Sequence, residues 1–140
     1  MVTIYVDMVG DLFHIGHINI FKKAKEHGTK LIVGVHSDKD VESYKRKPII
    51  NENDRYSIIQ ECKLVDKLIK NAPLQITEEY LNENSIDLVI HGDDVYDSNG
   101  NIKETYLEMY KVPIKLGKMK FISYTKGIST TELIRKIKER

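Results

Sequence analysis

Short apolar runs alternate with helix-like segments along the whole chain, and this alternation constrains the fold more tightly than any single motif. Thr3–Met8 reads as a strand, and residues 16–27 read as a helix with Ile18, Phe21 and Ala24 on its apolar side. Residues 30–36 are almost continuously apolar, as a strand buried on both faces requires. There follow a helix over 52–62 opened by Asn51, a strand over 65–70, a short helix over 77–83 capped by Thr77, and a strand over 87–91. Asn99 and Gly100 mark a turn, 102–110 a helix, and 120–123 a last strand. A closing helix starts near 129–131, where hydroxyls can cap its free N–H groups. Repeated strand-then-helix order predicts one α/β domain over residues 1–140, a parallel sheet flanked by helices with right-handed crossovers. Ligands of such sheets bind beyond the carboxyl ends of the strands. Three polar segments, 10–17, 36–47 and 91–96, directly follow strands and so mark the candidate site.

A chain of 140 residues has room for one real core. With 41% hydrophobic and 31% charged residues it has the composition of a globular domain, and no apolar run approaches a membrane span. The N-terminus lacks a basic region followed by an apolar core, and the single Cys62 cannot form an internal disulfide; both lead to the expectation of a cytoplasmic protein. A net charge of +1 gives no reason to expect nucleic acid as a partner. The charge is uneven, however. Residues 71–110 hold nine acidic groups against Lys103 alone, and residues 111–140 hold nine basic groups against Glu132 and Glu139. Two solvated faces explain this pattern; a positive wall for polyphosphate and an acidic wall for a cation are the functional alternative.

The densest chemistry lies at the first strand-to-helix turn, Asp11-Leu-Phe-His14-Ile-Gly16-His17. His14 and His17 are three apart and share a face as the chain enters the helix. Gly16 removes a side chain where a phosphate can approach, and a helix start offers unpaired N–H groups and the positive end of a dipole. Two imidazole donors placed there stabilise charge developing on a phosphoryl group. Read without further context, both histidines serve equally well as capping or packing groups. A zinc site lacks a third ligand.

His14-Ile-Gly-His17 resembles the HxGH signature of the cytidylyltransferases, and 124–131 (YTKGISTT) resembles that family's second signature, RTEGISTT. Between them, Gly34-Val-His-Ser-Asp38, Asn51-Glu-Asn-Asp-Arg55-Tyr56, Val65-Asp66, Asn71-Ala-Pro73 and His91-Gly-Asp-Asp94 recur in the family's order and spacing. The similarity covers nearly the whole chain and is greatest to the catalytic domains of choline-phosphate and ethanolamine-phosphate cytidylyltransferases. It implies the Rossmann-like HxGH nucleotidyltransferase fold and a CTP-dependent reaction that yields a CDP-alcohol and pyrophosphate.

The resemblance assigns His14 and His17 to the α-phosphate and the leaving phosphates, and Lys45 to a bridge between the two reacting phosphates. It places Arg55 on the triphosphate through its planar fork. It puts Val9, Gly10, Gly16, Asp38, His91, Asp93, Gly127, Ile128, Ser129 and Thr130 around the nucleotide, with Thr131 completing the last helix start. Asp93 and Asp94 read as contacts to cytidine or the acceptor, with a metal role as the alternative. Asp7, Tyr96 and Tyr106 would receive a cationic acceptor, phosphoethanolamine or phosphocholine, as a carboxylate and aromatic rings do. No protein-held metal is expected; Mg2+ would arrive with CTP.

Four places depart from the family. Tyr124 stands for its arginine and Lys126 for its glutamate, Leu74 for a ring, and Met8-Val9-Gly10 for a segment with glycine first and an aromatic last. The resemblance also implies a homodimer, through 63–66, which matches an interface segment. The chain stops just after the last helix, so no stable membrane anchor is expected in it. Transfer to glycerol 3-phosphate, adenylyl transfer by a superfamily member, and non-catalytic nucleotide binding are the alternatives.

Overall fold

The structure, a computed structural model describing residues 1–140, contains a five-stranded sheet in the order β3-β2-β1-β4-β5. The strands are β1 (Thr3–Met8), β2 (Lys30–Val35), β3 (Lys67–Lys70), β4 (Leu88–Gly92) and β5 (Met119–Ile122). Every neighbouring pair is parallel. Six helices connect and cover them: α1 (Ile15–Lys25), α2 (Asp38–Glu42), α3 (Glu52–Gln60), α4 (Glu78–Glu83), α5 (Glu104–Lys115) and α6 (Thr130–Lys138). The expected Rossmann-like, single-domain α/β arrangement is thus the observed one.

Period-two alternation along the strands builds a core on each face. Ile4, Val6, Leu31, Val33, Val35 and Ile90 meet Phe21 and Ala24 of α1 and Tyr56 and Ile59 of α3 on one side. Tyr5, Ile32 and Val89 meet Leu81 of α4 and Met109 and Tyr110 of α5 on the other, with Ile76 and Ile86. No helix is long and apolar enough to cross a membrane.

The anticipated caps are in place: Asn51, Thr77 and Ser129 accept from the N–H groups of Asp54, Tyr80 and Glu132. Three differences have physical causes. α2 escapes the sequence pattern because its five residues bury only Val41, too little to show a period. α5 runs past Tyr110 to Lys115 despite Pro113, which has no N–H to offer Met109. The Met109 carbonyl instead accepts from Ile76 N at 3.0 Å, so the proline leaves nothing unpaired there. β3 starts at Lys67, because Val65 N still bonds back to Cys62 O and closes the preceding turn.

The strand order reverses between β1 and β4, whose carboxyl ends therefore open a crevice. Asp7 and Met8 end one strand, and His91 and Gly92 end the other.

Candidate active site

The turn from β1 into α1 is held by Asp11, which is only 4% exposed. Its carboxylate accepts from three backbone N–H groups, Leu12 at 3.1 Å and Ile49 and Ile50 at 2.9 Å each. Gly10 makes the turn with φ of +70°, and a Cβ there would collide with Ile59.

His14 is the N-cap of α1 and His17 its third residue. His14 Nδ1 accepts from Gly16 N, and His17 Nδ1 accepts from His14 N, both at 3.0 Å. This is a capping box built from two imidazoles. Gly16 is required for it, since a Cβ would lie 2.8 Å from the His14 ring. An accepting Nδ1 carries no proton, so each ring is neutral with its proton on Nε2. Burial pushes the His17 pKa down to about 3, helped by His14 and Lys45 and opposed by Asp11. Burial lowers His14 as well. The rings lie 4.0 Å apart, and Phe13 stacks on His17 at 5.3 Å. Two neutral N–H donors result, fixed in place by the helix they begin.

The start of α6 closes the site. Thr130 Oγ1 donates to the Asp11 carbonyl at 2.9 Å, and Asn19 Nδ2 donates to Thr125 Oγ1 at 2.9 Å. The N–H groups of Thr130 and Thr131, in the first turn of the helix, have no acceptor within the protein. Together the two helix starts border a cavity of about 440 Å3 that also reaches the ends of β1 and β4. A site of this size takes a small-molecule ligand.

Asp7, at the end of β1 and 2% exposed, also lines the cavity. Its Oδ1 accepts from Tyr110 Oη at 2.6 Å. Its Oδ2 and His36 Nε2 face each other at 3.4 Å, and neither has a hydrogen-bond partner. Burial raises the Asp7 pKa, but His36, His91 and the Tyr110 hydroxyl outweigh it and hold the group below the usual carboxylate range. A buried negative charge is thus kept beneath the cavity floor. His91 Nδ1 lies 2.9 Å from Gly92 O, an acceptor only, so Nδ1 carries a proton. Tyr106 stands beside the His91 ring, with centroids 5.6 Å apart.

Of the site residues expected from the sequence, the cavity wall gathers Asp7, Val9, Gly10, His14, Gly16, His17, Lys45, His91, Tyr106, Ile128, Ser129 and Thr130. Others stand elsewhere. Arg55 is 0% exposed and is spent on the protein itself. Its guanidinium donates to the carbonyls of Ile50, Val9 and His36 and, at 2.7 Å, to Asp38 Oδ1. The expected triphosphate contact of Arg55 is therefore corrected to a buried brace, and Asp38 is its partner rather than a wall residue. Asp93 accepts from Tyr124 N at 3.2 Å, while its neighbour Asp94 lines the cavity. Tyr96 packs edge-on against Phe121 outside the wall, and Gly127 supplies a positive-φ turn before α6. None of the basic residues of 111–140 lines the cavity; its cations are Lys45 and Arg46. Arg46 and the bracing role of Asp11 were missed. Asp11 stands within the first motif, but nothing in the sequence pointed to contacts with residues 49 and 50.

A doubly covered parallel sheet with this crevice is the framework of a nucleotide-handling α/β domain. The chain belongs to the cytidylyltransferase-like family, whose model matches residues 10–136. It is 38% identical over 133 residues to the ethanolamine-phosphate cytidylyltransferase of Dictyostelium discoideum, covering 95% of this chain and 36% of that protein. It is 39% identical over 138 residues to choline-phosphate cytidylyltransferase A of Rattus norvegicus, covering 97% and 36%. The chain thus spans little more than a third of the length of these relatives. A solved structure, the lipopolysaccharide core biosynthesis protein from Thermoplasma volcanium GSS1, superposes with a TM-score of 0.70 at 28% identity, covering 90% of this chain and 99% of that one.

Two outcomes follow from the geometry. Arg55→Ala leaves Asp38 and three carbonyls without their donor, so denaturant unfolding should show a loss of about 3–5 kcal/mol. His17 is depressed from 6.5 to about 3 in the fold, so its contribution is complete above pH 6.5 and drains away as pH falls toward 3. In His17→Asn, whose carbonyl can keep the cap without titrating, unfolding midpoints should fall less between pH 7 and pH 4 than in the wild type.

Proposed function

We propose that this domain transfers a cytidylyl group from CTP to the phosphate of a small alcohol, forming a CDP-alcohol and releasing pyrophosphate. One observation carries the proposal. The starts of α1 and α6, from opposite ends of the chain, share one cavity with two neutral imidazole donors between them. An oxygen of the acceptor phosphate attacks the α-phosphorus of CTP, a new P–O bond forms, and the bond to the β-phosphate oxygen breaks. The attacking oxygen is already anionic, so positioning and charge stabilisation suffice, without a protein nucleophile or base. The Nε2–H groups of His14 and His17 stabilise charge on the α-phosphate and the departing oxygen. Lys45 draws the two phosphates together; burial, Arg46 and Lys103 lower its pKa, against Asp94 and Asp7.

We take the acceptor to be phosphoethanolamine or phosphocholine, its cationic head near Asp7, His91 and Tyr106. The buried carboxylate and the names of the relatives support this choice. Magnesium would travel on the CTP phosphates and neutralise their charge; no three His, Cys, Asp or Glu side chains converge as a ligand set, and Asp94 makes no hydrogen bond within the protein. We further propose a cytoplasmic homodimer, with 63–66 leading into the edge strand β3 at the contact. A solution mass near 16.2 kDa instead of twice that value would refute the dimer.

The direct test is pyrophosphate release with CTP and magnesium. Turnover should favour phosphoethanolamine or phosphocholine over glycerol 3-phosphate, and a preference for ATP overturns the reading. His17→Asn should lower kcat by about 10²–10³-fold while CTP affinity changes little, because the donor acts on charge that develops in the transition state.

A further inference from the structure

With Arg55 withdrawn into the protein and Tyr124 in the wall, the phosphate end of the cavity has one guanidinium left, that of Arg46. The only hydrogen bond of its side chain within the chain runs from Nη1 to Thr131 Oγ1 at 3.3 Å. It forms no ion pair, and neither does Lys45 beside it. Of the carboxylates near it, Asp11 is occupied by three N–H groups and Glu132 by Arg135 at 2.7 Å, while Asp94 in the same wall acts on Lys45 and forms no ion pair with Arg46.

This arrangement opposes the local field. A cation at a helix start faces the positive end of the dipole, and two adjacent cations repel. Arg46 accordingly contributes to the lowering of the Lys45 pKa. An anion lying between Arg46, Lys45 and the unpaired N–H groups of Thr130 and Thr131 attracts each of them and so offsets these repulsions.

We propose that Arg46 binds the β- and γ-phosphates of CTP, standing in for both the buried Arg55 and the arginine absent at Tyr124. The assignment rests on the CTP reading above and adds the residue that grips the leaving pyrophosphate. A planar fork suits two phosphate oxygens at once, and four of its five N–H groups are uncommitted. Charge accumulates on the leaving group as the bond to the α-phosphorus breaks, so the contact acts on turnover as well as on binding.

The experiment compares CTP with CMP, which lacks the two outer phosphates. In calorimetry, Arg46→Ala should weaken CTP binding by roughly 10–100-fold and leave CMP binding within about twofold, while Arg46→Lys, keeping charge without the fork, falls between. Unimpaired CMP binding also shows that the variant is folded. In turnover, kcat/KM for CTP should drop while the acceptor KM holds. Unchanged CTP affinity in Arg46→Ala, or an equal loss for CMP, overturns the assignment. Failure of the wild-type protein to bind CTP would instead overturn the functional reading itself.

Discussion

Asp11 is the constraint on which the site depends. Its carboxylate gathers the N–H groups of Leu12, Ile49 and Ile50, and its carbonyl accepts from Thr130. Three stretches far apart in sequence, the α1 turn, the segment after Lys45 and Arg46, and the start of α6, are thereby tied to one residue. Charge-assisted hydrogen bonds to a buried carboxylate are strong, and each N–H left without an acceptor in that setting costs about 1–3 kcal/mol. The loop carrying the cavity's two cations is therefore held from its far end. Arg55 braces the same region from below by binding the carbonyls of Val9, His36 and Ile50. One buried anion collects N–H groups and one buried cation collects C=O groups, and between them they satisfy the backbone of the crevice floor.

The imidazole pair shows folding and chemistry sharing the same atoms. Each Nδ1 is consumed by a backbone N–H, which starts the helix and at the same time fixes the tautomer. Protonation would turn each acceptor into a donor and break the cap, so the fold itself keeps the rings neutral and their Nε2–H groups available. A histidine that served only as a cap could be replaced by serine or aspartate; the outer nitrogen is what those residues lack.

Much of this was legible in the sequence. The β–α alternation gave the parallel sheet, because strands buried on both faces must be apolar throughout, and 30–36 is. The caps at Asn51, Thr77 and Ser129 were legible because capping is a local matter of a few bonds. The two end signatures were enough to place both helix starts at one crevice. Arg55 misled because residue type says nothing about which way a side chain turns: a guanidinium that reaches phosphate and one that reaches carbonyls look alike in a string. For the basic run of 111–140 the solvated-face reading fits and the positive-wall alternative does not, since none of its basic residues lines the cavity. Arg46 went unnoticed because its place is set by Asp11 holding residues 49 and 50, a contact across 38 and 39 positions.

The cavity is electrically polar, and that polarity bears on how two substrates share it. Its α6 border presents helix N–H groups with Arg46, while its border at the ends of β1 and β4 includes the buried charge of Asp7, with Asp94 and Lys45 also in the wall. On the proposed reading, a nucleoside triphosphate directs its outer phosphates to the first end, and a cationic phospho-alcohol directs its head to the second. Both phosphate groups that must react then meet within reach of Lys45, which senses Arg46 on one side and Asp94 and Asp7 on the other. Their mutual repulsion opposes the encounter, and a single flexible ammonium between them lowers it without fixing either substrate rigidly. Reversing either substrate would set like charges together at one end, so the field over the cavity selects the reactive orientation before any close contact forms.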